Sequence, residues 1–449
     1  MELQRRLGLL QATALNTIDM VGIGPFIVMS SVMAAMQGPH CVLAWVVGAI
    51  LAATDAMVWA ELGTAFPEAG GSYAFLRHLY GEPRWGRVMA FLFIWQTVFQ
   101  SSFVVASGAI GFTNYVQYLV PLASGWERKA VAVGVIVLIV AALYRRIETI
   151  GRISVVLGGI VIGTLLWIIA AGVVGGDWLL ITNAPSSLWR FDGLHEAIQS
   201  SVYAILGYYN VCHLGAEVRQ PERVIPRSMF YSIAIVATLY VCMQLSVLSV
   251  VPWQEARPDQ FIASTVVERV FGSGAAVVAT VLVLVVALSS LYSVVLGYSR
   301  IPYAAARDGN FFRIFARLHP TKNFPHLSLL AIGGISIVIA VVFDGLRLVV
   351  ASILTLRILV QFVGQAVGLL YYHRKHPRAA FPFRMWFYPL PALIAIALWL
   401  WLFVSRPAAA VVNGLGVLAI GCIVYLLLAR RNQWFPFAQM SHIAPRNQQ

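Results

Sequence analysis

The chain has 449 residues, is 60% hydrophobic and 11% charged, and has a mean hydropathy of +0.80. A soluble protein of this size needs roughly a quarter of its residues charged to cover its surface, so the composition excludes one. The net charge of +13 does not point to nucleic acid, because it is spread over short loops between apolar stretches.

A bilayer-spanning helix needs about 20 mainly apolar residues. Taken in chain order, such stretches fall at 9–35, 40–63, 86–119, 129–144, 150–174, 194–217, 228–251, 272–304, 326–343, 346–372, 387–405 and 409–429. The sequence therefore predicts an all-α integral membrane protein of 12 transmembrane helices, with residues 1–449 forming a single domain. The third and eighth spans are long enough to tilt strongly. The first stretch follows Arg5 and Arg6 and runs past Met33, too long for the apolar core of a signal peptide. Cys41, Cys212, Cys242 and Cys422 lie in apolar segments without metal or disulfide spacing, as buried small side chains do.

Alternating spans sort the Lys and Arg residues by side. The side of Arg5 and Arg6 receives 23, the other receives 7, and Arg357 falls inside a span. The bias predicts a multi-pass protein of the plasma or inner membrane with both termini in the cytoplasm. It also explains the basic balance through membrane lipid, with no nucleic-acid partner.

Two spans are interrupted. The first contains Val21-Gly22-Ile23-Gly24-Pro25-Phe26, where Pro25 cannot donate a helical hydrogen bond and the glycines leave backbone N–H groups uncovered. The sixth contains Ala204-Ile205-Leu206-Gly207-Tyr208-Tyr209-Asn210. Irregular backbone at membrane depth is tolerated only in protein or along a cavity. Breaks in corresponding members of two five-helix halves mark an inverted-repeat transporter with its substrate between them. Helix N-termini suit a carboxylate and unwound carbonyls suit an ammonium group, so the pair suits a zwitterionic amino acid. Ordinary packing glycines and a proline kink are the competing reading.

Gly22–Phe26 resembles the first-span signature of the amino acid–polyamine–organocation (APC) transporters. Ala60–Gly63 with Pro67–Tyr73, Glu217–Arg227, and Ser299–Tyr303 with Ala306–Gly309 and His319-Pro320 resemble later segments of that family in the right order. The resemblance covers about residues 9–330. It implies a LeuT-like five-plus-five inverted repeat, 9–174 and 194–372, with two additional helices in 387–429. It implies alternating access, coupled to an ion or run as exchange. By position, the N–H groups of Ile23 and Gly24 would take the substrate carboxylate. The carbonyls of Met20, Tyr203, Ala204 and Leu206 would take the α-amino group. Gly22, Phe26 and Gly207 belong to the same two breaks, Tyr203 falls at the family's aromatic gate, and Tyr208 falls where tryptophan is common. The chain departs from the family at Pro25, which removes one N–H, and at Ala216, where an acid is frequent. It also departs at Leu157–Gly163, which lacks the coupling lysine of several relatives.

An ionisable residue within a span is a functional candidate by default. Asp19 lies one helical turn before the first break and is a candidate to bind a cation, to titrate or to pair with an arginine. Ser289 and Ser290 are candidates for a sodium site, unless their hydroxyls serve their own helix. Arg357 must face a cavity or an acid such as Asp19 or Asp55, and is a candidate fixed internal cation. His213 is a candidate for proton-linked gating, against a structural role. Glu61 is expected to pair with loop arginines. No catalytic motif is present, no metal site is expected, and no cofactor is expected apart from a coupling Na+ or H+. No acid falls within the expected pocket at the centres of the third, sixth and eighth spans, and the nearest, Asp19, lies to one side, which favours neutral L-amino acids. A polyamine or cationic amine permease and a non-transporting amino acid sensor are the alternatives. Oligomeric state is left open.

Overall fold

The structure is a computed structural model describing residues 3–122, 124–145, 147–182, 191–255, 261–343, 355, 357–377, 381–406 and 408–437. Among these residues the ordered elements are helices. They are α1 (Leu9–Met20), α2 (Gly24–Met36), α3 (Val42–Ala65), α4 (Ser72–Tyr80), α5 (Trp85–Leu119), α6 (Gly125–Leu143), α7 (Ile147–Gly175) and α8 (Leu179–Thr182). They continue with α9 (Leu194–Ile205), α10 (Asn210–His213), α11 (Pro221–Val250), α12 (Ile262–Phe271), α13 (Ser273–Arg307) and α14 (His326–Val342). A π-helical turn at Ile358–Val363 leads into α15 (Gly364–Lys375), and α16 (Leu390–Val404) and α17 (Ala408–Asn432) complete the fold.

Among the described residues six helices are long and apolar enough to cross a membrane, and the pair α1–α2, bent by 45° at its break, makes a seventh if it is one span. The helices α14 and α16 are shorter and apolar. In hydrocarbon every backbone N–H and C=O must be paired within the protein, which a helix does within its own segment, and the lengths follow from that constraint. The tenth expected span is described only from Thr355 onward, since 346–354 lies outside the described residues. Sequence patterning missed α4 and α12, which are too short to span.

Local chemistry sets several helix ends. Gln11 Oε1 accepts from the Gly8 N–H at 2.8 Å to start α1. Ser124 and Glu127 form a reciprocal capping box on α6, at 3.1 and 3.2 Å. Pro25 and Pro221 stand in the first turns of α2 and α11, where a missing N–H costs nothing.

Around the breaks, α1 packs on α7, α11 and α13, while α2 packs on α9, and α3 on α9 and α11. Three side chains lock this arrangement. Asn16 Oδ1 accepts from the Val211 N–H at 2.9 Å, tying α1 to α10. Asn210 donates to Ser293 Oγ at 2.7 Å, and Ser293 donates to the Leu15 carbonyl at 2.8 Å, tying both to α13.

Polar links gather at the ends of these helices. Glu217 and Arg300 form a two-pronged ion pair, 3.0 Å on each prong, with side chains 1% and 2% exposed. The Glu217 carbonyl accepts from the N–H groups of Arg6 and Leu7 at 2.8 and 2.9 Å. Arg77 contacts Glu68, Glu82 and Asp308. The hydrogen bond from His78, with Arg77 beside it, holds the Glu68 carboxyl below its ordinary value. Glu61 has the charge of the loop residue Arg384 near it, as expected of a loop arginine. It also bonds His373 at 2.7 Å and the Met385 N–H at 3.1 Å, because α15 and the segment after it fold back onto the end of α3.

Candidate functional site

The two interruptions meet. Helix α1 stops at Met20 and α2 resumes at Gly24, while α9 stops at Ile205 and α10 resumes at Asn210. Gly207 adopts φ +127°, and a Cβ there would lie 2.8 Å from the Asp19 carbonyl carbon and the Met20 nitrogen. Only glycine lets the second break lie backbone to backbone against the first. At Gly22 a Cβ would stand 2.6 Å from Ser290 Oγ, so this glycine admits α13 to the break.

One cavity lies at the junction. It is lined by Met20, Gly22, Ile23 and Gly24 from the first break and by Tyr203, Ala204, Leu206 and Gly207 from the second. Asp19, Ser290 and Arg357 line it too. The other lining residues come from α5 (Val104, Ser107, Gly108), from α13 (Ala287, Leu291, Val294, Tyr298) and from Tyr209. Among the described residues, the N–H groups of Gly22 and Ile23 donate to no backbone carbonyl. They stand at the N-terminus of α2, where the first-turn donors are unsatisfied within the helix and the dipole is positive. The Tyr203 ring lies against Gly24, 3.5 Å from the position of a Cβ, and its hydroxyl is 3.5 Å from Ser107 Oγ.

Four expected residues, Phe26, Tyr208, Ser289 and His213, lie outside the cavity lining. Phe26 is buried in the core. Tyr208 donates to Asp55 Oδ2 at 2.5 Å, and Trp399 Nε1 donates to Asp55 Oδ1 at 3.2 Å. Asp55 is thus a structural acceptor joining α3, the second break and α16. Ser289 donates to the Val285 carbonyl of its own helix at 2.7 Å, whereas Ser290 reaches the Asp19 carbonyl at 3.3 Å. The structure therefore separates the two serines. His213 is buried among Trp59, Tyr209 and Tyr298, away from the cavity wall.

Arg357 precedes the π-helical turn and is 3% exposed. It donates to Gln361 Oε1 at 2.9 Å and to the Tyr209 hydroxyl. Its guanidinium also lies 5.1 Å from the Tyr209 ring centre, 5.9 Å from that of Tyr298 and 5.4 Å from that of Phe362. Such faces stabilise a desolvated cation by about 0.5–2 kcal/mol each. Among the described residues no direct ion pair joins Arg357 to Asp19, whose Oδ1 is buried without a hydrogen-bond partner. The cavity wall thus carries one carboxylate and one guanidinium.

Sequence reasoning missed three tyrosines. Tyr209 and Tyr298 cage Arg357. Tyr240 of α11 donates toward the Met20 and Ala204 carbonyls, at 3.0 and 3.3 Å, which are two of the oxygens expected to receive an amine. Nothing in the apolar pattern of α11 marks Tyr240 as different from a core aromatic. Removing its hydroxyl frees both carbonyls and loosens the junction. Tyr240→Phe is expected to weaken ligand binding about 5- to 10-fold, from roughly 1 kcal/mol of lost hydrogen bonding. Calorimetric titration of the purified protein checks this.

The family model for amino acid permeases matches residues 7–428 of the chain. The chain is 25% identical over 452 residues to a methylthioribose transporter of Bacillus subtilis, covering 96% of this chain and 94% of the relative. It is 26% identical over 408 residues to a serine/threonine exchanger of the same organism, covering 88% and 89%. Against cationic amino acid transporter 4 of Homo sapiens it is 26% identical over 398 residues, covering 84% and 61%. Interrupted apolar helices, a cavity where they cross, and a match over nearly the whole chain agree: this chain belongs to the amino acid permease family, a transmembrane transporter and not an enzyme.

Proposed function

We propose that the chain is a secondary transporter of neutral L-amino acids in the plasma or inner membrane, with both termini cytoplasmic. It has 12 spans in a LeuT-like inverted repeat and works by alternating access. The observation that carries this reading is the single cavity walled by both backbone interruptions. The substrate carboxylate takes the free N–H groups of Gly22 and Ile23 with that of Gly24, and Tyr203 closes over it. The α-amino group takes Asp19 and the carbonyls of the second break.

Arg357 supports neutral substrates. A dicationic amine brings two positive charges into a space with one carboxylate and one guanidinium, and a buried charge without a partner is costly. Arg357 also supports ion-independent exchange, because a fixed cation facing Asp19 performs the neutralisation that a bound sodium ion or proton otherwise supplies. The name of one relative, a serine/threonine exchanger, favours neutral substrates, and that of another, a cationic amino acid transporter, keeps the cationic reading as the competitor.

Uptake into proteoliposomes decides between them. Leucine and serine are expected to compete with a labelled neutral amino acid, and putrescine and lysine are not. Inhibition by putrescine without inhibition by leucine would overturn the neutral reading. Binding without flux would make the protein a sensor.

A further inference from the structure

A second cavity, of about 230 Å³, lies between α5, α13 and α14 and is separate from the junction of the breaks. Its wall is apolar: Val98 of α5, Ile301 of α13, Ile332 and Ile335 of α14, and Phe311 and Phe315 after α13. Apolar cavities of about 150 Å³ stay dry and take up small apolar ligands. The mechanism proposed above leaves this space unused.

Two features say what enters it. Phe312 and Ile335 line the cavity and are also 70% and 38% exposed, so its rim reaches the outer surface of a membrane helix. At that rim the turn Arg313–Ala316 begins directly after Phe312. Arg313 and Arg317 are exposed, and neither has an acidic partner among the described residues. An apolar slot that opens at Phe312 and Ile335, with two exposed arginines on and just after the turn that follows Phe312, fits an amphiphile with a chain and an anionic head. Guanidinium groups bind phosphate through paired N–H donors. We propose that the slot holds one acyl chain of an anionic phospholipid, with its phosphate on Arg313 and Arg317.

The site communicates with the substrate cavity through one residue. Tyr298 lines both cavities. Its hydroxyl accepts from Gln100 Nε2 at 3.1 Å, and its ring faces Arg357. A chain filling the slot braces Tyr298 from behind and so steadies the wall that positions Arg357.

The test reads lipid binding without substrate, so it stands or falls separately from the amino acid assignment. Thermal unfolding of the full chain in detergent is followed while dioleoyl phosphatidylglycerol, dioleoyl phosphatidylcholine or inorganic phosphate is added. Phosphatidylglycerol is expected to raise Tm by several degrees, and the other two are not. Ile332→Trp, which fills the slot, and the double variant Arg313→Gln/Arg317→Gln are each expected to lose most of that rise. The arginine variant alters only exposed side chains, so it decides the matter if the tryptophan variant fails to fold. Equal shifts with both lipids, a shift with phosphate alone, or an undiminished phosphatidylglycerol shift in the arginine variant overturns the proposal.

Discussion

Arg300→Ala is expected to destabilise the folded protein by about 3–5 kcal/mol, the usual result of removing one partner of a buried ion pair. Its guanidinium meets both Glu217 carboxylate oxygens with neither side chain more than 2% exposed. Without it, Glu217 is a buried charge with no counterion. The loss also spreads, because the Glu217 backbone carbonyl holds the N–H groups of Arg6 and Leu7, and the Arg219 N–H returns to the Leu7 carbonyl at 2.8 Å. The segment before α1, the segment after the second break and the end of α13 are joined at this point. Replacing both partners by apolar groups, as in Glu217→Leu/Arg300→Met, removes the stranded charge and is expected to recover much of the loss. Unfolding in detergent measures both variants. A single variant within 1 kcal/mol of wild type, on the scale of an exposed pair, would show that the pair is hydrated.

The second large effect belongs to Arg357. Arg357→Ala is expected to make transport depend on sodium or on acidity by at least 10-fold, a difference of about 1.4 kcal/mol. The wild type is expected to transport equally in sodium and choline media. The reason is Asp19. With the guanidinium gone, this carboxylate is the one formal charge left among the residues lining the cavity, and a cation must come from solution. Arg357→Lys keeps the charge but loses the planar fork that meets Gln361 and Tyr209, so it is expected to retain ion independence with lower affinity. Adding Asp19→Asn to Arg357→Ala is expected to abolish the acquired ion dependence. An Arg357→Ala protein with wild-type flux and unchanged ion response would remove the fixed cation from the account.

The breaks were legible in the sequence because Gly22, Gly24 and Pro25 cluster in one span and Gly207 stands at the corresponding place in another, whereas a lone proline such as Pro302 interrupts nothing. Gly22, Gly24 and Pro25 marked the first break to within a residue of its position, and Gly207 marked the second. Arg357 and Asp19 were legible because charge in an apolar span needs compensation. What escaped was contributed by residues that look ordinary in their own helices. Tyr240 and Tyr298 carry nothing in their own helices that marks them, and Tyr209 was seen only as part of the second break, until the fold aims Tyr209 at Arg357, Tyr240 at the break carbonyls and Tyr298 at Gln100. The His373 partner of Glu61 escaped for a related reason: it lies more than 300 positions away in sequence. Ser289 and Ser290 show the limit of spacing alone, because a 100° step on α13 sends one hydroxyl to its own helix and the other to the break.

The breaks also carry the functional claim, and one variant isolates them. In Gly22→Val the side chain enters the space of Ser290 and covers the N–H groups assigned to the substrate carboxylate. Equilibrium binding of a labelled neutral amino acid to purified wild type and Gly22→Val, in choline medium, tests the central claim most directly. The wild type is expected to bind without sodium, with displacement by leucine but not by putrescine, and the variant to lose at least 100-fold in affinity. Equal affinity in the two proteins would contradict the claim.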